Sequence, residues 1–80
     1  MRYEFISKNI TVTDGLKDKI TAKLDKLERI IHEDNVVRVV LSLVKQENTV
    51  EVTIQLNSRT LRAQAKNEEL MAAVDEVVDI

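Results

Sequence analysis

The chain has 80 residues, of which 44% are hydrophobic and 32% charged, with one glycine, no proline and no cysteine. This composition predicts one folded domain, because so short a chain cannot bury two separate cores and a disordered chain would contain fewer aliphatic residues. The lack of cysteine excludes disulfides, thiolate metal sites and cysteine nucleophiles. No apolar run approaches the ~18 residues of a membrane span, and the amino terminus has no signal-peptide pattern. We therefore expect a cytoplasmic domain without membrane association.

Charge is distributed unevenly along the chain, although the net charge is only -2. Residues 1–66 contain all 12 Lys and Arg side chains and nine of the 14 acids, whereas residues 67–80 contain five acids and no base. This asymmetry is consistent with a polyanionic partner for the basic part, although a solvated surface beside an acidic helix gives the same pattern.

The first predicted elements are a strand and a helix. Residues 2–7 alternate, so that Tyr3 and Phe5 share one face and are expected in the core. Thr13 is the predicted N-cap of the helix, and residues 32–35 are predicted to end it. The apolar side chains of this helix recur at helical spacing and form one stripe: Leu16, Ile20, Leu24, Leu27 and Ile31.

Three further strands are predicted from β-branched and alternating residues. They cover residues 36–45, 49–57 and 59–66. Turns are expected at 46–48 and at 57–58, and the second of these tolerates positive φ angles and suits a short hairpin. The last predicted element is a helix capped by Asn67, with Glu68 and Glu69 in its first turn. Its apolar stripe contains Leu70, Met71, Val74, Val77 and Val78.

The element order β-α-β-β-β-α predicts the architecture. Strands joined by short connections pair antiparallel, while the first strand reaches the second through a helix and can pair parallel to it. Both helices have to bury an apolar stripe, and placing them on one face of a four-stranded mixed sheet achieves this in two layers. We therefore expect an α+β fold whose other sheet face is open to solvent or to a partner.

Lysines of the first helix form the strongest candidate binding surface. At about 100° per residue, Lys19, Lys23 and Lys26 fall on one stripe beside the apolar edge, while the acids gather on the far flank. Several cations on one surface suit phosphates, because affinity accumulates contact by contact. With both aromatic side chains expected in the core, such contacts would be to the nucleic-acid backbone and not to stacked bases. Cations on the strands can extend this surface: Lys45, Arg59, Arg62 and Lys66.

The residue types give little support to enzymatic chemistry. His32 is the one histidine, and without cysteine it completes neither a metal-ligand set nor a nucleophile arrangement. One glycine cannot form a glycine-rich phosphate loop, and Asp75 and Glu76 are expected to be solvated carboxylates. We predict no enzyme activity, no metal and no cofactor.

Segments spread over nearly the whole chain resemble the ribosome hibernation-promoting factors, also called ribosome-associated inhibitors. The similar segments are residues 8–14, 22–24, 26–28, 39–45, 50–54, 61–63 and 70–75. The resemblance implies a fold similar to double-stranded-RNA-binding domains and a non-catalytic role. It implies that the small ribosomal subunit is bound in the channel for messenger and transfer RNA, through the ribosomal RNA backbone, so that idle ribosomes stay silent. The matching basic positions are Lys17, Lys23, Lys26, Arg29, Lys45 and Arg62, which Lys19 joins by helix geometry alone.

The sequence departs from the family pattern at Gly15, Ala22 and Met71. Ile80 stands where the family commonly continues into a basic half-helix, so we expect the last helix to be incomplete. An alternative from another class is a protein-interaction module that forms a homodimer through the open sheet face, without binding nucleic acid. That face would carry Val36, Val40 and Val44. Salt separates the two hypotheses, because phosphate contacts weaken steeply with salt and an apolar interface hardly responds.

Overall fold

A computed structural model describes residues 2–27 and 35–80 of the chain. Its elements follow the predicted order and confirm the α+β fold class. They are β1 (Arg2–Lys8), α1 (Asp14–Leu24) followed by a 3₁₀ turn (Asp25–Leu27), β2 (Val36–Val44), β3 (Glu47–Gln55), β4 (Thr60–Asn67) and α2 (Leu70–Val78).

The four strands form one mixed sheet in the order β1-β2-β3-β4. β1 pairs parallel to β2, while β3 pairs antiparallel to both of its neighbours. One row across the covered face joins Phe5, Val39, Val52 and Ala63. The predicted parallel pairing of the first two strands is confirmed.

The core lies between this face and the two helices. Three inward side chains of β2 and three of β3 are at most 4% exposed, and α1 adds Ile20 and Leu24 while α2 adds Ala73, Val74 and Val77. Each fully buried valine, leucine or isoleucine side chain stabilises the fold by about 1.5–3 kcal/mol relative to the same side chain left exposed. The prediction that both helices cover one face of the sheet is confirmed.

The sheet register sets where the helices begin. β1 ends where Lys8 lies opposite Ser42, and β4 ends where Asn67 lies opposite Asn48. Both points are at the sheet end that holds the β2–β3 turn, so both helices start there and run side by side in the same direction. None of the described helices is long and apolar enough to cross a membrane.

The predicted amino terminus of α1 is confirmed, but its end is not. The Thr13 hydroxyl accepts a hydrogen bond from the backbone N–H of Leu16 at 3.1 Å, as an N-cap does. The α-helix ends at Leu24 and tightens into the 3₁₀ turn, where the Tyr3 hydroxyl donates to Asp25 Oδ1 at 2.7 Å. Ile31, Arg29 and His32 lie outside the described residues.

The predicted β2–β3 turn at residues 46–48 is wrong. The strands meet at Lys45 and Gln46, whose φ angles are 49° and 66°. Positive φ at both central residues matches the right-handed twist of a two-residue hairpin, and it lets β3 start at Glu47. The second turn does not use the positive φ expected at residues 57–58, and the backbone N–H of Leu56 donates to the Arg59 carbonyl at 2.8 Å.

The predicted cap of α2 is displaced. The helix begins at Leu70 with Glu69 as its N-cap, and Glu69 makes no side-chain capping bond. Asn67 Oδ1 instead accepts from the backbone N–H of Glu69 at 2.9 Å, which stabilises the turn before the helix. Glu68 and Glu69 therefore precede the first turn and do not lie within it.

Candidate nucleic-acid interface

Three lysines lie together at the boundary with α2, two of them on α1 and one in the 3₁₀ turn that follows it. Lys19, Lys23 and Lys26 line one shallow depression with Ala22 and with Met71 from the first turn of α2. Lys19 and Lys23 are neighbours on one face of α1, and Lys26 follows three residues later, one turn on in the 3₁₀ segment. We call these three residues the lysine cluster.

One carboxylate from α2 contacts this cluster. Lys23 Nζ lies 2.8 Å from Asp75 Oδ1, and the two side chains are 36% and 52% exposed. Asp75 stands one helical turn after Met71, on the same side of α2. Among the described residues, neither Lys19 nor Lys26 forms an ion pair. Within the described ranges, the cluster thus combines two cations that have no ion-pair partner with one that has.

Lys17 lies on a different side of α1. Its ammonium group is 5.8 Å from the centre of the Phe5 ring, within the range of a cation–π contact. Phe5 in turn stacks on Tyr3, with ring centres 6.2 Å apart. Lys17 therefore faces β1 and is not part of the lysine cluster.

The two aromatic rings are half-buried and pack against the core. The expectation that they belong to the core is therefore met only in part, because the polar end of Tyr3 reaches Asp25. Burial raises the pKa of Tyr3, and the hydrogen bond to Asp25 and the charge of that carboxylate raise it further. The phenol consequently stays protonated and remains a donor. Neither ring is fully exposed for base stacking.

The strand cations lie apart from the cluster. Lys45 is in the β2–β3 turn and lines a depression with Lys66, Glu47 and Glu68. The two glutamates balance the charges of the two lysines there. Arg62 lies opposite Thr53 on the edge strand β4. Of the seven predicted basic positions the structure joins three, separates Lys17, Lys45 and Arg62 from them, and does not describe Arg29.

The open face of the sheet is mixed in character. Ile6, which lies opposite Val40, is 42% exposed and Val44 is 60% exposed, whereas Val36 and Val40 are half-buried. Arg38 interrupts this apolar surface and pairs with Glu4 at 3.5 Å. Within the described ranges, no group of three or more His, Cys, Asp or Glu side chains could hold a metal ion.

The contact between Asp75 and Lys23 was not found by sequence reasoning. Helix periodicity reveals which residues share a face of one helix, but it does not reveal which residue of another helix faces them. The sequence signal was indirect: Asp75 follows Met71 by one turn, and Met71 belongs to the apolar stripe of α2.

Comparison with known proteins bears on the whole chain. The family described as "Sigma 54 modulation protein / S30EA ribosomal protein" matches residues 3–80. The "Ribosome hibernation promoting factor" of Escherichia coli strain K12 is 32% identical over 79 residues, covering 99% of this chain and 83% of the relative. The "Ribosome hibernation promotion factor" of Staphylococcus aureus strain COL is 36% identical over 78 residues, covering 94% of this chain but 41% of the relative.

Solved structures share the fold. The crystal structure of the Thermus thermophilus Protein Y N-terminal domain superposes with a TM-score of 0.88 at 30% identity, covering 99% of this chain and 89% of that one. A ribosomal subunit interface protein from Coxiella burnetii has a TM-score of 0.84 at 17% identity, covering 99% and 87%, which shows the fold alone. The chain belongs to the sigma 54 modulation protein / S30EA ribosomal protein family, which includes ribosome hibernation promoting factors.

Proposed function

We propose that this chain is a non-catalytic, ribosome-associated hibernation factor. It binds ribosomal RNA of the small subunit in the channel for messenger and transfer RNA, and the lysine cluster makes the central contact. The names of the Escherichia coli and Staphylococcus aureus relatives support a role in ribosome hibernation. The finer assignment to ribosomal RNA rests on the chemistry of the described surface.

The observation that carries the proposal is the convergence of three lysines on one depression. Each phosphate that a lysine neutralises releases condensed counterions, so adjacent lysines on a rigid helix add their contributions. α1 is held by the buried side chains of Ile20 and Leu24, which keeps the cluster in place without a partner. Met71 and Ala22 add an apolar floor against which the lysine methylenes can pack.

The half-buried aromatic rings favour backbone recognition over base recognition. Sequence-specific RNA binding commonly stacks unpaired bases on exposed rings. The chain has one Tyr and one Phe, which are stacked on each other against the core. Binding through phosphates and RNA shape follows, with peripheral contacts proposed for Lys17, Arg29, Lys45 and Arg62.

Charge reversal of the cluster tests this proposal. The triple variant Lys19→Glu, Lys23→Glu and Lys26→Glu should lose co-sedimentation with purified small ribosomal subunits at ~100 mM salt, since several lost phosphate contacts cost orders of magnitude in affinity. Its circular dichroism should match that of the unmodified protein.

A matched control reverses three exposed cations that lie outside the proposed surface: Arg2, Lys8 and Arg38. This control changes the net charge equally and should retain most of the binding. Retained binding by the cluster variant, or equal loss in both variants, would show that the lysine cluster is not the contact surface.

A second candidate function is homodimer formation through the open sheet face, and the exposure of Ile6 and Val44 favours it. Arg38 and Glu4 lie on the same face and would have to be desolvated with it. Sedimentation equilibrium over a range of concentrations distinguishes the two functions. A dimer that persists at high salt and is lost in an Ile6→Lys, Val44→Lys variant would support the interaction module.

A further inference from the structure

We propose that Asp75 is a built-in competitor for the lysine cluster. Its carboxylate occupies Lys23 in the free protein and gives way when a phosphate binds. The inference deepens the proposed function and depends on it in one respect, since it takes the lysine cluster as the phosphate-binding surface.

The position of Lys23 makes it the residue through which such competition acts. It follows Lys19 by one helical turn and precedes Lys26 by one, so an anion that spans the cluster also meets Lys23. The 2.8 Å contact with Asp75 fills one donor direction of this central ammonium group. The two outer lysines have no ion-pair partner within the described part of the chain.

The helix that carries Asp75 is firmly anchored. Ala73, Val74 and Val77 on the inner side of α2 are 0%, 1% and 5% exposed. Asp75 itself is half-exposed and points away from the core. The exchange of carboxylate for phosphate therefore needs only a side-chain rotation and no movement of α2.

The ion pair is weak enough for a phosphate to displace it and strong enough to lower the affinity for that phosphate measurably. An exposed ion pair contributes little free energy in water. A competing anion has to break it first, which lowers the affinity of that anion roughly two- to fivefold. The carboxylate that remains nearby also repels the bound phosphate. Asp75 thus lowers the affinity of the cluster without removing a cation. A purely structural ion pair would instead affect stability and leave affinity unchanged.

The test combines Asp75→Asn with Lys23→Gln. The probe is an RNA duplex of about 16 base pairs, a length that one double-stranded-RNA-binding domain spans, titrated by fluorescence anisotropy at several salt concentrations. Asp75→Asn should tighten duplex binding about two- to fivefold. It should also steepen the salt dependence, by up to about 0.9 in the slope of log K against log salt. In the Lys23→Gln background the same substitution should give only the small gain expected from losing one nearby negative charge, because the ion pair it would break is absent.

Glu76→Gln is the matched control, because Glu76 is the exposed neighbour on α2 and the substitution changes the net charge equally. Its gain should be smaller than that of Asp75→Asn. An equal gain from both variants, an undiminished gain in the Lys23→Gln background, or no gain at all would overturn the proposal.

The same proteins are then titrated with purified small subunits, which separates this inference from the proposed function. A Lys23-dependent gain on the duplex, without small-subunit binding by any of the proteins, would support the competitor and contradict the proposed function. Small-subunit binding without a Lys23-dependent gain on the duplex would overturn the competitor and leave the proposed function standing.

Discussion

α1 and α2 lie side by side on one face of the sheet, yet they differ in almost every other respect. α1 is capped by Thr13, mixes acids with lysines and buries two side chains. α2 has no side-chain cap, buries three of its nine residues and carries no base in its last turn. Tertiary packing therefore holds α2, whereas α1 combines a local capping signal with the candidate binding surface. The difference implies that stability and anion binding can be changed separately.

The largest expected effect on stability concerns a core position next to the lysine cluster. Leu24 is fully buried in the last turn of α1. Leu24→Ala should lower the free energy of unfolding by about 2–5 kcal/mol, because it removes buried methylenes and leaves a cavity. Urea denaturation measures this loss.

Lys19→Ala is the control on the same helix and should shift the free energy of unfolding by less than about 0.5 kcal/mol, as exposed substitutions do. Similar losses in the two variants would mean that the cluster also supports the fold, so that the separation of stability from binding would not hold.

A smaller effect is expected from the helix caps. Thr13→Ala removes the bond from Leu16 N–H to the threonine hydroxyl and should cost about 1 kcal/mol. Glu69→Ala removes no capping bond and should cost under about 0.5 kcal/mol. Thermal denaturation of the two variants checks the difference, and a costlier change at Glu69 would contradict the contrast drawn between the helices.

Much of the fold could be predicted because its signals are local. The strand over residues 50–54 alternates valine and isoleucine with polar residues, and the period of two identifies the buried face directly. Thr13 signals a helix start through its own side chain. The stripe of Lys19, Lys23 and Lys26 follows from helix geometry alone, and the structure places all three around one depression.

The remaining features depend on tertiary context. The first helix tightens into a 3₁₀ turn at Asp25, whose carboxylate accepts a hydrogen bond from the hydroxyl of Tyr3 on β1. Lys45 and Gln46 adopt positive φ without glycine or asparagine to signal it, because the strands they join determine the turn. The ion pair between Lys23 and Asp75 could be predicted only by knowing that two helices distant in sequence run side by side.

The most direct measurement of the proposed function is the salt dependence of binding to purified small ribosomal subunits. It compares the unmodified protein with the neutral triple variant Lys19→Gln, Lys23→Gln and Lys26→Gln. If the lysine cluster lies on phosphates, the slope of log K against log salt should become less negative by about 2.1–2.7, since each of the three lost contacts removes about 0.7–0.9. An unchanged slope, with affinity equal to that of the unmodified protein, would contradict RNA binding through the lysine cluster.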